Sequence, residues 1–290
     1  MNIVQTDIEE WSEKFNSCHT SNYFYSPNWL EIQSRIFNLN NIFFKIKDNK
    51  SVLYISFQEK SRHLYSGFIA YGGFMVADGL KIDINILSQT LDCLESEHGF
   101  TISRLKSFPL IGFEGNMGLF KSSETALLRI NDNSIEQDRH MDKKTRNLIK
   151  MAISNKVHVK PININEVNTF YAFYKETMLR VGSKYFTPIS LFEYFCQNDE
   201  SNFLGAYLDD ELIAGSVFMN CRDVMFYWSN SSSSKGRSLD ANYLIIKHAI
   251  DLARGQKRLF IDMGSSHSPN IQIPKLKWGA ELTKFITLEQ

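Results

Sequence analysis

The 290 residues carry no net charge, with 32 Lys plus Arg against 32 Asp plus Glu. A balanced chain does not coat nucleic acid or an anionic membrane as a whole, so any basic surface must be local. Cysteine is scarce. Cys18, Cys93, Cys196 and Cys221 form no C-x-x-C pair and no Cys/His cluster at zinc spacing, which argues for reduced core residues and against a metal. No apolar run approaches the length of a membrane span, and the N-terminus lacks the basic start and apolar stretch of a secretory signal, so a cytoplasmic protein is expected.

What is present is the material of packed cores: 43% hydrophobic residues, with 22 Phe, 12 Tyr and 4 Trp. Global disorder is excluded. The pattern along the chain predicts helix, helix, strand meander, helix, strand, and then the same order again. A capping box, Thr6-x-x-Glu9, predicts a helix over Thr6–Phe15, and Ser26-Pro27 predicts a second by serine N-cap and proline at the first helical position. Strand-like runs follow at Ile42–Lys47, Val52–Phe57 and Gly67–Val76, then a helix over Asp83–His98 and strands at Thr101–Leu105 and Thr125–Ile130.

The second half repeats the plan with a strand at Val157–Ile162, a helix over Glu166–Arg180 and another from Thr187-Pro188. A meander follows at Phe203–Leu208, Leu212–Met219 and Val224–Ser229, then a helix over Leu239–Arg254 and strands at Arg258–Met263 and Leu282–Leu288. A meander feeding a crossover helix and a further strand gives an α/β (α+β) mixed sheet. The expected division is residues 1–156, including a basic linker helix, and residues 157–290. In that helix Lys143, Arg146 and Lys150 share one face, which is either a solvated side or a surface for nucleic acid. His248, between Leu244 and Leu252 at helical spacing, is expected in the core.

Six strings carry a resemblance: Tyr25-Ser-Pro-Asn-Trp29-Leu; Lys143-Lys-Thr-Arg146-Asn-Leu; Phe170 to Gly182; Leu204-Gly-Ala-Tyr to Ala214-Gly; Phe260-Ile-Asp262-Met-Gly264; and Lys275-Leu-Lys-Trp278-Gly279. In this order and spacing the chain resembles the FemAB-type branch of the GNAT acyltransferase superfamily. The resemblance implies two tandem GNAT-like halves. It also implies a slot between two splayed strands of the second half, where an activated ester lies beside a functional lysine, Lys275.

That resemblance sets the expected site. Amide formation needs a neutral attacking amine, donors for a developing oxyanion and a proton source for the leaving group. Lys275 is placed as the cation, and Asp262, at the end of an apolar strand, as general base or acceptor-orienting group, with a turn-capping role as its alternative. His267 is a second base candidate. Arg180 either grips an acceptor phosphate or carboxylate or compensates a helix C-terminus. Tyr227 and Trp228 are expected so that one flanks the acyl channel and the other packs inside, and Trp278 is expected to touch substrate.

The donor phosphates are expected on the serine-rich loop Ser229–Ser238, with Ser234, Lys235, Gly236, Arg237 and Asn242 as binding residues, or else that loop is simply polar and solvated. The superfamily's Arg/Gln-x-x-Gly-x-Gly/Ala signature is absent, which weakens coenzyme A as carrier and leaves acyl-CoA, acyl carrier protein and aminoacyl-tRNA open. The expected activity is acyl or aminoacyl transfer to the amine of an amino sugar, nucleotide-sugar or cell-envelope peptide precursor by direct attack, because no Ser, Cys and His fall in a nucleophile-activating motif. The alternatives are an inactive binding module, suggested by Pro274 before Lys275, and a nucleic-acid adaptor on the basic helix.

Overall fold

A computed structural model describes residues 1–18, 21–48, 52–76 and 81–289; the side chain of Cys221 lies outside the described residues. Two compact units divide the chain: Met1–Thr125 with Thr283–Gln290, and Ala126–Leu282. The first contains β1 (Asn2–Thr6), α1 (Ile8–Ser17), α2 (Pro27–Phe37), β2 (Asn40–Lys47), β3 (Val52–Lys60), β4 (His63–Ser66), β5 (Gly73–Val76), β6 (Ile82–Asp83), α3 (Ile84–Ser96), β7 (Thr101–Lys106), β8 (Phe113–Glu114) and the start of β9 (Lys121–Arg129). The second continues with α4 (Ser134–His140), α5 (Lys143–Ser154), β10 (His158–Pro161), α6 (Val167–Arg180), α7 (Ile189–Gln197), β11 (Ser201–Leu208), β12 (Glu211–Cys221) and β13 (Val224–Ser232). It is completed by α8 (Ser234–Ser238), α9 (Ala241–Gly255), β14 (Phe260–Ser265) and α10 (Pro269–Leu276), and the chain returns to the first unit in β15 (Glu281–Glu289).

The expected mixed α/β plan is present, and its element order repeats in the two units. In the first unit β1, β2, β3 and β4 pair antiparallel, and β7 joins β4 in parallel after the α3 crossover. In the second, β10, β11, β12 and β13 pair antiparallel, and β14 joins β13 in parallel after α9. The last strands do not follow sequence order: β15 lies beside β7, and β9 beside β14. The division therefore falls at 125/126 and 282/283 rather than at 156/157. The basic helix α5 belongs inside the second unit because Thr145, Ile149 and Ala152 form a buried stripe on it and face its core, where α9 packs.

Helix starts follow local capping chemistry, with small displacements from expectation. Thr6 ends β1, and the cap of α1 is Asp7, which accepts from Glu10 N at 2.9 Å. Asp outranks Thr at such a position. Ser26 caps α2 as expected, accepting from Trp29 N at 3.2 Å, with Pro27 at the first position. The helix expected from Thr187-Pro188 starts at Ile189, with Pro188, at an extended ψ of 145°, in the cap position, and Thr187 N–H donates to Tyr174 Oη at 2.9 Å. The run Gly67–Val76 is not one strand: Gly67, at φ +96°, opens a turn between β4 and β5.

Trp11, Tyr23, Tyr25, Trp29, Phe57 and Phe74 are buried in the first unit. The second unit's core runs from Ala126 to Ala280 and is lined by Ile245, Ala249, Ile250 and Ala253 of α9. His248 is exposed rather than in that core, since the buried stripe of α9 passes on either side of it. No helix among the described residues is long and apolar enough to cross a membrane.

Candidate active site

In the second unit one parallel ladder is short. The parallel ladder of β13 and β14 runs through Val224↔Phe260, Met225↔Ile261 and Phe226↔Asp262, and ends there. On its other edge β13 carries a bulge against β12: Val217 faces Ser229 and Phe218 faces Tyr227, so Trp228 is the extra residue. A bulge bends and twists its strand, and this one sits at the point where β13 leaves β14. The bulged Trp228 packs on Phe192 and Phe195, with centroids 5.6 and 5.1 Å away, while Tyr227 stacks on Phe218 at 5.0 Å and 16°. Burial raises the Tyr227 phenol above its ordinary range, so it is neutral.

Lys275 sits just beyond the end of this ladder. Its Nζ donates to Gly264 O and Ser265 O, both at 2.7 Å, and to Ser266 Oγ at 3.3 Å. Gly264 has φ +82°, a conformation that favours glycine, and this turn directs consecutive carbonyls at the ammonium. Burial lowers the Lys275 pKa to about 8, and the negative charge of Asp262 opposes that shift only in part. Pro274 lies inside α10, where it deletes one helical hydrogen bond, but it does not turn Lys275 away from these contacts.

Asp262 is fully buried at the end of the paired segment, and its Oδ1 accepts from Gly264 N at 2.8 Å. It therefore shapes the turn that holds Lys275 as well as supplying charge. His267 is exposed on the segment between β14 and α10. The structure brings Lys275 and Asp262 together around one turn, two residues beyond the last β13/β14 pair.

The serine-rich segment is more ordered than a polar loop. β13 continues to Ser232, and Ser233 caps the short helix α8 by accepting from Gly236 N at 3.0 Å. A Cβ on Gly236 would lie 2.2 Å from Ile213 O, so only glycine permits this approach. Lys235 pairs with Glu211 at 2.5 Å, and Arg237 pairs with Glu176 at 2.9 Å while donating to Ser232 O at 2.6 Å. Ser234 is exposed, and Asn242 reaches Asn230 at 3.5 Å, leaving its own buried Oδ1 without a hydrogen bond. Sequence alone did not reveal Glu211 and Glu176, which lie 24 and 61 residues from the cations they neutralise.

Arg180, at the exposed end of α6, makes no hydrogen bond or ion pair with the described residues. Trp278 is only 2% exposed and stacks on Tyr243 at 5.8 Å, so it is part of the core rather than an open wall. On α5, Arg146 turns inward to donate to Asp138 O and Met141 O, while Lys143 and Lys150 are exposed. One ligand set escaped the sequence reading. Cys93, Glu97 and His98, at the end of α3, offer donor atoms within 4.8 Å of one another, a group that their Cys-x3-Glu-His spacing did not signal as zinc-type.

The model of the FemAB family matches residues 95–209. The whole architecture aligns with the crystal structure of FemX at a TM-score of 0.70 and 13% identity, covering 99% of this chain and 97% of that one. This chain is FemAB-like. The same fold recurs in a conserved protein of unknown function from Bacteroides thetaiotaomicron, at a TM-score of 0.61, 12% identity and full coverage of both chains. It recurs again in L-PGS from Bacillus licheniformis, at a TM-score of 0.59, 10% identity and coverage of 98% and 92%. No curated protein matches the FemAB-like chain in sequence.

Proposed function

We propose that this FemAB-like chain is an amide-forming acyltransferase of the cytoplasm. It moves an acyl or aminoacyl group from an activated ester or thioester to the amino group of an amino sugar, nucleotide-sugar or cell-envelope peptide precursor. The observation that carries this reading is the Lys275 ammonium, held over the Gly264 turn at the point where β13 and β14 cease to pair.

In direct attack the acceptor nitrogen adds to the donor carbonyl and its C=O becomes an oxyanion. The carbonyl then re-forms as the bond to the ester oxygen or thioester sulfur breaks; the nitrogen loses a proton and the leaving group gains one. A fixed ammonium in a partly dry site stabilises the oxyanion, a contribution that typically reaches ~10²–10³ in rate for one well-placed donor. A lysine near pKa 8 also gives up a proton more readily than an ordinary one, which suits protonation of the leaving oxygen or sulfur. Asp262 keeps the turn in place, and its charge favours the ammonium form. His267 and Arg180, both exposed and free to turn, are left to orient the acceptor.

For the donor, the missing Arg/Gln-x-x-Gly-x-Gly/Ala signature favours an aminoacyl ester over coenzyme A; the exposed pairs of Lys235 with Glu211 and of Arg237 with Glu176 are weak enough for a ligand to displace. Lys143 and Lys150 of α5 are then the cations available to a tRNA backbone. The test incubates purified protein with charged tRNAs, acyl carrier protein thioesters and acyl-CoA against amine-bearing precursors, and detects the new amide by mass. Formation of amide by the native protein and its loss in Lys275→Ala supports the reading; no amide with any pairing defeats it.

A further inference from the structure

Between β7 and β9 the first unit makes an excursion, Ser107–Phe120, whose one charged residue is Glu114. The excursion is held at several points. Ser107 N donates to Ile286 O and Ile286 N to Ser107 Oγ, each at 3.0 Å; Ile82 N donates to Gly112 O at 3.0 Å; and β8 pairs with β6. Phe108, Ile111 and Phe120 are buried beneath it. Leu110 and Leu119 are nonetheless 43% and 47% exposed.

A cavity of about 490 Å³ opens in this excursion, with apolar walls from Pro109, Ile111, Phe113, Met117, Phe285 and Ile286. Its size falls within the range of small-molecule sites. Exposed apolar surface with a polar rim marks a place where something else is buried. The rim here is basic. Lys284 lines the mouth, and Lys81 lies across Gly112 with its Cγ 3.0 Å from where a Cβ would sit. Among the described residues neither lysine closes an ion pair. In a chain with no net charge, two cations at one apolar mouth are a local concentration of charge.

Apolar walls beneath a cationic rim match a hydrocarbon chain with an anionic head, and the charge complementarity selects a lipid over an uncharged apolar partner. We propose that this cavity takes an alkyl chain of an anionic membrane lipid, with the head-group phosphate met by Lys81 and Lys284, so that the first unit holds the protein to a membrane surface. Nothing in this assignment depends on the acyl-transfer reading, and its readout is independent of turnover.

Co-sedimentation with vesicles of phosphatidylcholine, with and without about a third phosphatidylglycerol, tests it. The native protein is expected to pellet with the anionic vesicles at low salt, to be released as salt rises, and to stay in solution with phosphatidylcholine alone. Leu119→Glu and Met117→Glu are each expected to weaken pelleting about 10-fold, and Lys81→Glu with Lys284→Glu to abolish the preference for anionic lipid. Leu119 is already half exposed, so its variant keeps the test valid should Met117→Glu fail to fold. Native protein that ignores anionic vesicles, equal pelleting with both vesicle types, or Leu119→Glu that pellets like the native chain overturns the assignment. Binding of dodecanoate without binding of vesicles does so too, since it makes the cavity a site for a soluble acyl chain.

Discussion

The two units repeat one topology and treat its weakest point in opposite ways. In the first, β4 and β7 pair from His63↔Thr101 to Ser66↔Leu105, and the chain then closes over their end: Gly72 N donates to Lys106 O at 2.6 Å, and Tyr71 packs against Phe108 and Phe285 with centroids 5.4 Å from each. In the second, β13 and β14 stop pairing at Phe226↔Asp262, and what stands at their end is the Lys275 ammonium on the carbonyls of Gly264 and Ser265. One unit plugs the gap between parallel strands with backbone and aromatic rings, and the other leaves a cation there. A repeated topology needs its strand ends satisfied in both units, and under the proposed function the unit that satisfies them with a titratable group is the one that carries the chemistry.

The comparison is broken most directly by removing the cation. Lys275→Ala is expected to lower acyl transfer by ~10²–10³ while leaving the melting transition within a few degrees of native, because the two carbonyls it releases lie where water can replace it. A loss of folding instead would make Lys275 a structural plug like Tyr71. A pH profile sharpens the same point. With a pKa lowered to about 8, the ammonium is present below that value and lost above it, so the rate is expected to fall as pH rises through about 8. Lys275→Arg keeps its charge and is expected to move that fall upward by well over one pH unit. For stability the sign is opposite: the unfolded chain holds this proton up to about 10.5, so stability rises with pH between about 8 and 10.5.

The reciprocal test is Tyr71→Ala. Tyr71 is 5% exposed and touches three aromatic rings, so its truncation is expected to cost about 3–5 kcal/mol in denaturant unfolding. Specific activity per folded molecule should be unchanged. Activity lost ahead of structure would mean that the first unit contributes to the reaction and that the division of labour is wrong.

Much of this division was legible in the sequence, and its gaps have physical causes. The repeated element order follows from periodicity and caps, as at Ser26-Pro27, and Asp262 could be placed because a polar residue ending an apolar strand stands at a sheet's ligand-binding edge. The nine-residue β15 was also foreseen as a strand, but not as the partner of β7, since pairing between residues 106 and 287 leaves no local mark. Trp278 illustrates a different limit. An aromatic near the lysine reads as a contact residue, but Trp278 lies in the turn that follows α10, and that turn carries it into the core against Tyr243. The serine-rich segment appeared as a cationic cradle because its neutralising carboxylates come from β12 and α6. His248 was misplaced because Leu244 and Leu252 are themselves only at the border of the α9 core.

The smallest expected effect separates a charged group that holds structure from the one to which the proposed function gives the chemistry. In the first unit Glu10 accepts from Lys45 Nζ and from Tyr54 Oη at 2.9 Å, and its other oxygen accepts from Thr6 Oγ1 at 2.6 Å, tying α1 to β2, β3 and the end of β1. These bonds, Lys45's first, hold its pKa at about 2 against an ordinary 4.5. The group is close to solvent, so screening limits its worth, and Glu10→Gln is expected to cost less than about 1 kcal/mol at neutral pH. A carboxylate with a lowered folded pKa stabilises above its unfolded pKa and loses that contribution as pH falls through the folded value. The difference between native and Glu10→Gln unfolding should therefore be constant above pH 5, shrink below about 4.5, and vanish near 2. Lys275 should show no such acid-side loss, because its transition lies near 8. Unfolding curves in which Glu10→Gln differs from native equally at pH 3 and pH 7 would place the stabilisation in neutral hydrogen bonds and remove the ion pair from the account of the first unit.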